Sequence, residues 1–177
     1  MLATQAHSLH KPDSFSQSLL YRYLMPLLSI KSITPNDNGC QDIIAAHLSM
    51  LGFDCQRFEQ NGVSNLIAKI GFGDTRIAFA GHTDVVPPGD ESKWSNEPFS
   101  PTIREGKVFA RGVADMKGGI AAMLSAFAQV QSKLNFNDYS FYFLITSDEE
   151  GEAEHGTLEI VNLLRRANEV PHMCIVG

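Results

Sequence analysis

Four short stretches of this chain are apolar almost throughout, with little polar alternation: NLIAKIG at 65–71, RIAFAG at 76–81, SFYFLITS at 140–147 and HMCIVG at 172–177. A strand with one face in water alternates polar and apolar residues, so runs of this kind belong to strands covered on both faces. Helical periods lie before and between them. Phe15, Leu19, Leu20, Tyr23, Leu24, Leu27 and Leu28 share one broad helix face, which Asp13 or Ser14 would cap and Pro26 would kink or shorten. A second period passes through Ile44 and Leu48 to Leu51 and stops at Gly52; a third carries Ile120, Met123, Leu124, Phe127 and Val130; a fourth is GTLEIVNLLRRAN at 156–168. Strands alternating with helices predict an α/β fold, a three-layer αβα sandwich around a mostly parallel sheet.

Composition adds a few exclusions. At 177 residues, 44% of them hydrophobic, the chain is expected to build one compact domain. A net charge of −6 argues against nucleic acid as a partner, because that requires clustered Lys and Arg. No run approaches the roughly 20 apolar residues of a membrane span, so no membrane partner is expected. Cys40, Cys55 and Cys174 are scattered and odd in number, which suits a reducing, cytoplasmic setting. The one long loop, DVVPPGDESKWSNEPFSPTIREGKV at 84–108, is expected to lie over the surface.

In an open α/β sheet, ligands bind beyond the carboxyl ends of the strands, where the connecting loops converge. Three polar groups fall at such positions. His82 and Asp84 follow RIAFAG, Asp148, Glu149 and Glu150 follow SFYFLIT, and Asp115 precedes the third helix. Taken singly each has an ordinary explanation: a polar residue ending a strand, a solvated acidic loop, a helix cap. Together they would gather several negative charges in one place, and that arrangement is prohibitive without a cation. One imidazole among carboxylates suits Zn²⁺ better than Mg²⁺ or Ca²⁺, and a pair of ions about 3.5–4 Å apart would use more of these side chains than one. Zinc activates water at neutral pH, and a nearby carboxylate can take the proton, which is the chemistry of amide hydrolysis. His47, His155 and His172 lack such neighbours in the sequence and are read as structural. GFGDTR at 71–76 lacks the third glycine and the following helix of a phosphate loop.

FAGHTDVVPPGDESKWSNEPFSP, ARGVADMKGGIAAML and LITSDEEGEAEHGT, in this order, resemble the dinuclear zinc hydrolases that include aminoacylases, carboxypeptidases and deacetylases. ITPNDNGCQ and the VVPPGD loop with Trp94 are most similar to the bacterial succinyl-diaminopimelate desuccinylases. The resemblance implies that His82 binds one zinc, that Asp115 bridges two, and that Glu150 binds the second. It implies Glu149 as general base, Asp84 as the acceptor of the His82 ring N–H, and a cis peptide between Asp115 and Met116. Co²⁺ would be a possible substitute metal, the substrate a small N-acyl amino acid, and the complete protein a homodimer. In such enzymes the segment after CIVG begins with a glutamate that binds the His82 zinc, and a further histidine and a dimerisation domain come later. On that pattern residues 1–177 are a partial catalytic domain, each metal is one ligand short, and weak or absent catalysis is expected of them. N-acetylornithine deacetylase or dipeptidase activity remains open, as does a non-catalytic remnant or binding module.

Overall fold

The computed structural model describes residues 15–177. The expected caps Asp13 and Ser14 lie outside these residues; helix α1 (Leu19–Leu28) is instead capped by Ser18, whose hydroxyl accepts the Tyr21 N–H at 3.1 Å. Pro26 sits inside the last turn, and the helix ends two residues later. Helix α2 (Cys40–Met50) ends ahead of Gly52, which takes the left-handed φ of 89° that the turn into the next strand requires.

Strands β1 (Asp54–Gln60) and β2 (Val63–Gly71) form a hairpin closed by Asn61 and Gly62, both at positive φ. That Asn-Gly pair is the usual signature of a tight two-residue hairpin turn. Next come β3 (Thr75–His82), a small hairpin of β4 (Thr102–Arg104) and β5 (Lys107–Phe109), helix α3 (Gly118–Val130), β6 (Tyr139–Thr146), helix α4 (Thr157–Arg166) and β7 (Met173–Val176). The long loop therefore contains a two-stranded sheet of its own, with Arg111 stacked over Trp94 and the Trp94 indole N–H bonded to the Pro88 carbonyl at 3.0 Å.

The main sheet has the order β1-β2-β6-β3-β7. Here the α/β sandwich differs from the expected mostly parallel sheet: β6, β3 and β7 run parallel, whereas β1 and β2 are antiparallel additions, so the sheet is mixed. A two-residue turn can only join antiparallel strands. The centre of β2 is buried on both faces, so its composition does not reveal its direction.

Strand alternation sorts the core into two layers. Leu66, Ala68, Phe141, Phe143 and Ile145 face α1, α2 and α3, where Phe53, Phe127 and Phe143 pack edge to face at centroid separations of 4.9–6.1 Å. Ile67, Ala78, Tyr142 and Leu144 face the opposite way, against Ile160 and Leu164 of α4. Because β3 and β6 are parallel with His82 opposite Thr146, both strands finish at the same edge of the sheet. The segments that follow them are thereby placed side by side.

Candidate metal centre

His82 is the last residue of β3 and is 4% exposed. Its Nδ1 lies 2.9 Å from the Asp84 backbone carbonyl and 3.4 Å from the Asp84 carboxylate, which leaves Nε2 to face the other acids. Nε2 is 3.1 Å from an Asp115 oxygen and 3.6 Å from a Glu149 oxygen. Ligand atoms of His82, Glu149 and Glu150 all lie within 4.8 Å of one another. His82, Asp84, Asp115, Glu149 and Glu150 thus meet at one place, with Asp115 nearer to Nε2 than Glu149.

Asp84 is fully buried, and its carboxylate accepts the backbone N–H groups of Glu149 (3.2 and 3.3 Å) and Glu150 (3.1 Å). Burial pushes its pKa up, but the His82 hydrogen bond and these two amides outweigh that and hold it below the ordinary aspartate value. Asp84 therefore braces the loop bearing the acid pair as well as the imidazole. No local sequence signal marks this second task, since the amides belong to residues 65 and 66 positions away. Asp148, nearly buried, closes the same loop by accepting the N–H groups of Glu154 and His155.

Burial tends to lower the His82 pKa, yet the hydrogen bonds to Asp84 and the charges of Asp84 and Glu149 push it up to about 9. Glu150 is shifted upward by burial and by the negative charge of Asp115, partly offset by His82. Four carboxylates, Asp84, Asp115, Glu149 and Glu150, thus crowd one imidazole, and the Asp115 and Glu149 side chains remain 73% and 57% exposed. Hard oxygen donors beside a ring nitrogen whose partner nitrogen is already hydrogen-bonded suit a divalent first-row cation such as zinc.

Asp115 is delivered by a turn with its own anchors. The Asp115–Met116 peptide is cis, and Met116 is buried. Lys117 is fully buried and donates to the carbonyls of Leu27 (2.7 Å) and Ile30 (3.0 Å) at the end of α1; burial lowers its pKa. No local signal in MKGGIAAML marks Lys117 as buried, since a lysine at the start of a helix ordinarily reaches solvent. A Cβ on Gly118 would meet the Val113 carbonyl oxygen at 2.2 Å. Gly118→Ala is expected to destabilise the chain by about 1–3 kcal/mol and to weaken divalent-cation binding, because the backbone that presents Asp115 must move; urea denaturation and metal titration read the two effects.

The other histidines among the described residues have partners elsewhere. His47 packs edge-on to Tyr23 at 4.7 Å, the His155 ring is 3.0 Å from Asn61, and His172 Nδ1 accepts the Arg76 N–H at 3.0 Å.

Residues 78–177, which hold His82, Asp84, Asp115, Glu149 and Glu150, match the model of peptidase family M20/M25/M40. The chain belongs to this family. Among curated relatives of the M20 chain, succinyl-diaminopimelate desuccinylase 1 of Alteromonas mediterranea is 47% identical over 175 residues, covering 99% of this chain and 42% of the relative. The succinyl-diaminopimelate desuccinylase of Thiobacillus denitrificans is 47% identical over 151 residues, covering 85% and 38%. The chain thus spans about two fifths of the length of the curated relatives it matches. Among solved M20-like folds, an M20 family metallo-carboxypeptidase of Sulfolobus solfataricus superimposes with a TM-score of 0.77 at 24% identity, over 89% of this chain and 36% of its own. Human carnosine dipeptidase 1 gives 0.73 at 22% identity, over 92% and 39%.

Proposed function

We propose that this chain is part of the catalytic domain of a metal-dependent amide hydrolase that removes succinate from N-succinyl-LL-2,6-diaminopimelate and releases LL-2,6-diaminopimelate for lysine synthesis. The observation that carries the reading is the meeting of His82, Asp115, Glu149 and Glu150 from three separated segments at one sheet edge. The 47% identity to two desuccinylases supports the substrate. His82 Nε2, Asp115 and Glu150 are the side chains that would hold the metal. Zn²⁺, or Co²⁺ in its place, supplies Lewis acidity toward the amide carbonyl and makes water a competent nucleophile near neutral pH.

Glu149 moves the proton. Its exposed carboxylate, 3.6 Å from His82 Nε2, takes a proton from the attacking water and passes it to the departing amine. Asp84 holds the imidazole so that Nε2 faces the metal. In this reading the complete protein is a homodimer whose further residues finish the metal shells; the 42% and 38% of two relatives that the chain covers leave room for both. Three free cysteines suit a cytoplasmic location. Among the described residues no helix is long and apolar enough to cross a membrane.

The test is amine release from N-succinyl-diaminopimelate, N-acetylornithine and a dipeptide by the chain, alone and joined to the part of the Alteromonas mediterranea relative that it does not cover. Preferred turnover of the succinyl substrate, lost on chelation, restored by Zn²⁺ and abolished in Glu149→Gln, is the expected result. Preference for either of the other substrates overturns the desuccinylase assignment.

A further inference from the structure

We infer that Asp37 and Thr83 are a positioning pair for the metal centre, joined by a buried hydrogen bond that sets where His82 and Asp84 stand. The inference rests on the metal-centre reading above. Thr83 is the single residue between His82 and Asp84, and it is fully buried. Its polar groups are bound to two other parts of the fold, residues 32–37 and the end of β6, where the Thr146 carbonyl also lies 3.3 Å from the hydroxyl. Its hydroxyl donates to an Asp37 oxygen at 2.6 Å, its N–H donates to the Thr146 carbonyl at 2.9 Å, and its carbonyl accepts the Ser32 hydroxyl at 2.7 Å.

Asp37 is itself 8% exposed and caps the start of α2, accepting the N–H groups of Gly39 and Gln41 at 3.0 Å. Capping alone does not account for the Thr83 hydroxyl, which comes from 46 residues away. The neighbouring backbone extends the clamp: Val85 N–H donates to the Ser32 carbonyl at 2.9 Å, and Thr34 N–H to the Val85 carbonyl at 3.1 Å. The same stretch reaches the acid loop, where the Ser147 hydroxyl donates to the Pro35 carbonyl at 2.8 Å and accepts the Ser64 N–H at 3.0 Å. Residues 32–37 therefore hold both the segment carrying His82 and Asp84 and the segment leading into Glu149 and Glu150. A ligand set works only when held within about 0.5 Å of its productive geometry. Outer partners of this kind are worth about 10–100-fold in metal affinity.

The experiment compares wild type with Thr83→Val, which removes the hydroxyl at nearly constant volume and leaves the α2 cap bonds in place, and with Thr83→Ser, which keeps the hydroxyl. Co²⁺ affinity by chelator competition, the visible Co²⁺ spectrum and amide exchange of the metal-free chain are measured on all three. Thr83→Val is expected to bind Co²⁺ about 10–100-fold more weakly with an altered spectrum, while Thr83→Ser keeps the wild-type spectrum. A Thr83→Val protein with wild-type affinity and spectrum overturns the proposal, and so does a Thr83→Ser protein as impaired as Thr83→Val. Should wild type take up no Co²⁺, the metal-centre reading fails separately and amide exchange decides the clamp. Faster exchange at Val85 and Glu150 in Thr83→Val, with Leu144 unchanged, supports it; unchanged exchange at all three overturns it.

Discussion

His82→Ala is expected to remove divalent-cation binding, weakening Zn²⁺ or Co²⁺ uptake by more than about 100-fold, beyond the 10–100-fold that outer partners contribute. His82 supplies the cluster's one imidazole, and the other histidines among the described residues contact Tyr23, Asn61 and Arg76. Binding by the wild-type chain carries a distinctive pH dependence. The metal needs the unprotonated ring nitrogen, and in the metal-free protein His82 holds its proton up to about 9. Each unit of pH below that value should therefore weaken binding about tenfold, with about one proton released per ion bound from this residue.

The stability of the metal-free protein should move in the opposite direction. A folded-state pKa raised above 6.5 means that the His82 contribution is complete below that pH and is lost as pH rises through about 9. Isothermal titration at several pH values, in buffers of different ionisation enthalpy, reads both the affinity slope and the proton count. A flat profile between pH 6 and 9 would show that His82 is not the competing site.

The second large effect is on folding. Asp84→Ala should destabilise the metal-free chain by about 3–5 kcal/mol, the range found when one member of a buried charge pair is deleted. The carboxylate is fully buried, lies 3.4 Å from the His82 ring nitrogen and accepts the Glu149 and Glu150 amides, so its removal leaves a buried cation and two amides without their acceptor. For a domain of this size the melting temperature should fall by roughly 6–20 °C. Asp84→Asn, which keeps an acceptor but not the charge, should fall between wild type and alanine. Thermal and urea denaturation check the order, and a loss below about 1 kcal/mol for Asp84→Ala would contradict the bracing role.

Local pattern was enough to place most elements, because burial leaves an apolar composition in SFYFLITS and a 3.6-residue period marks α3 and α4. The same rule overstated burial elsewhere, since RIAFAG is only partly buried and the four residues of β7, expected to be covered on both faces, are exposed at the edge of the sheet. It did not reveal β1, whose DCQRFEQ is polar as an edge strand can be, nor that the β1–β2 hairpin makes the sheet mixed. The Asn61-Gly62 pair carried that information, but a short turn is a weak signal beside long apolar runs. His82, Asp84, Asp115, Glu149 and Glu150 could be picked out because strand ends and element starts are visible along the chain, and the carboxyl-edge rule then puts them together.

What the linear order of residues determined by itself was the chemical inventory and the layered α/β class, since both depend on neighbours a few positions apart. Tertiary structure alone decided the distances at which Asp115, Glu149 and Glu150 stand around His82, that Asp84 holds two distant amides, and that Lys117 is sealed against the end of α1. The Asp37–Thr83 bond belongs with them. Such contacts join residues tens of positions apart, and their geometry follows from the register of β3 against β6 and the packing of helices on that sheet, which no local period encodes.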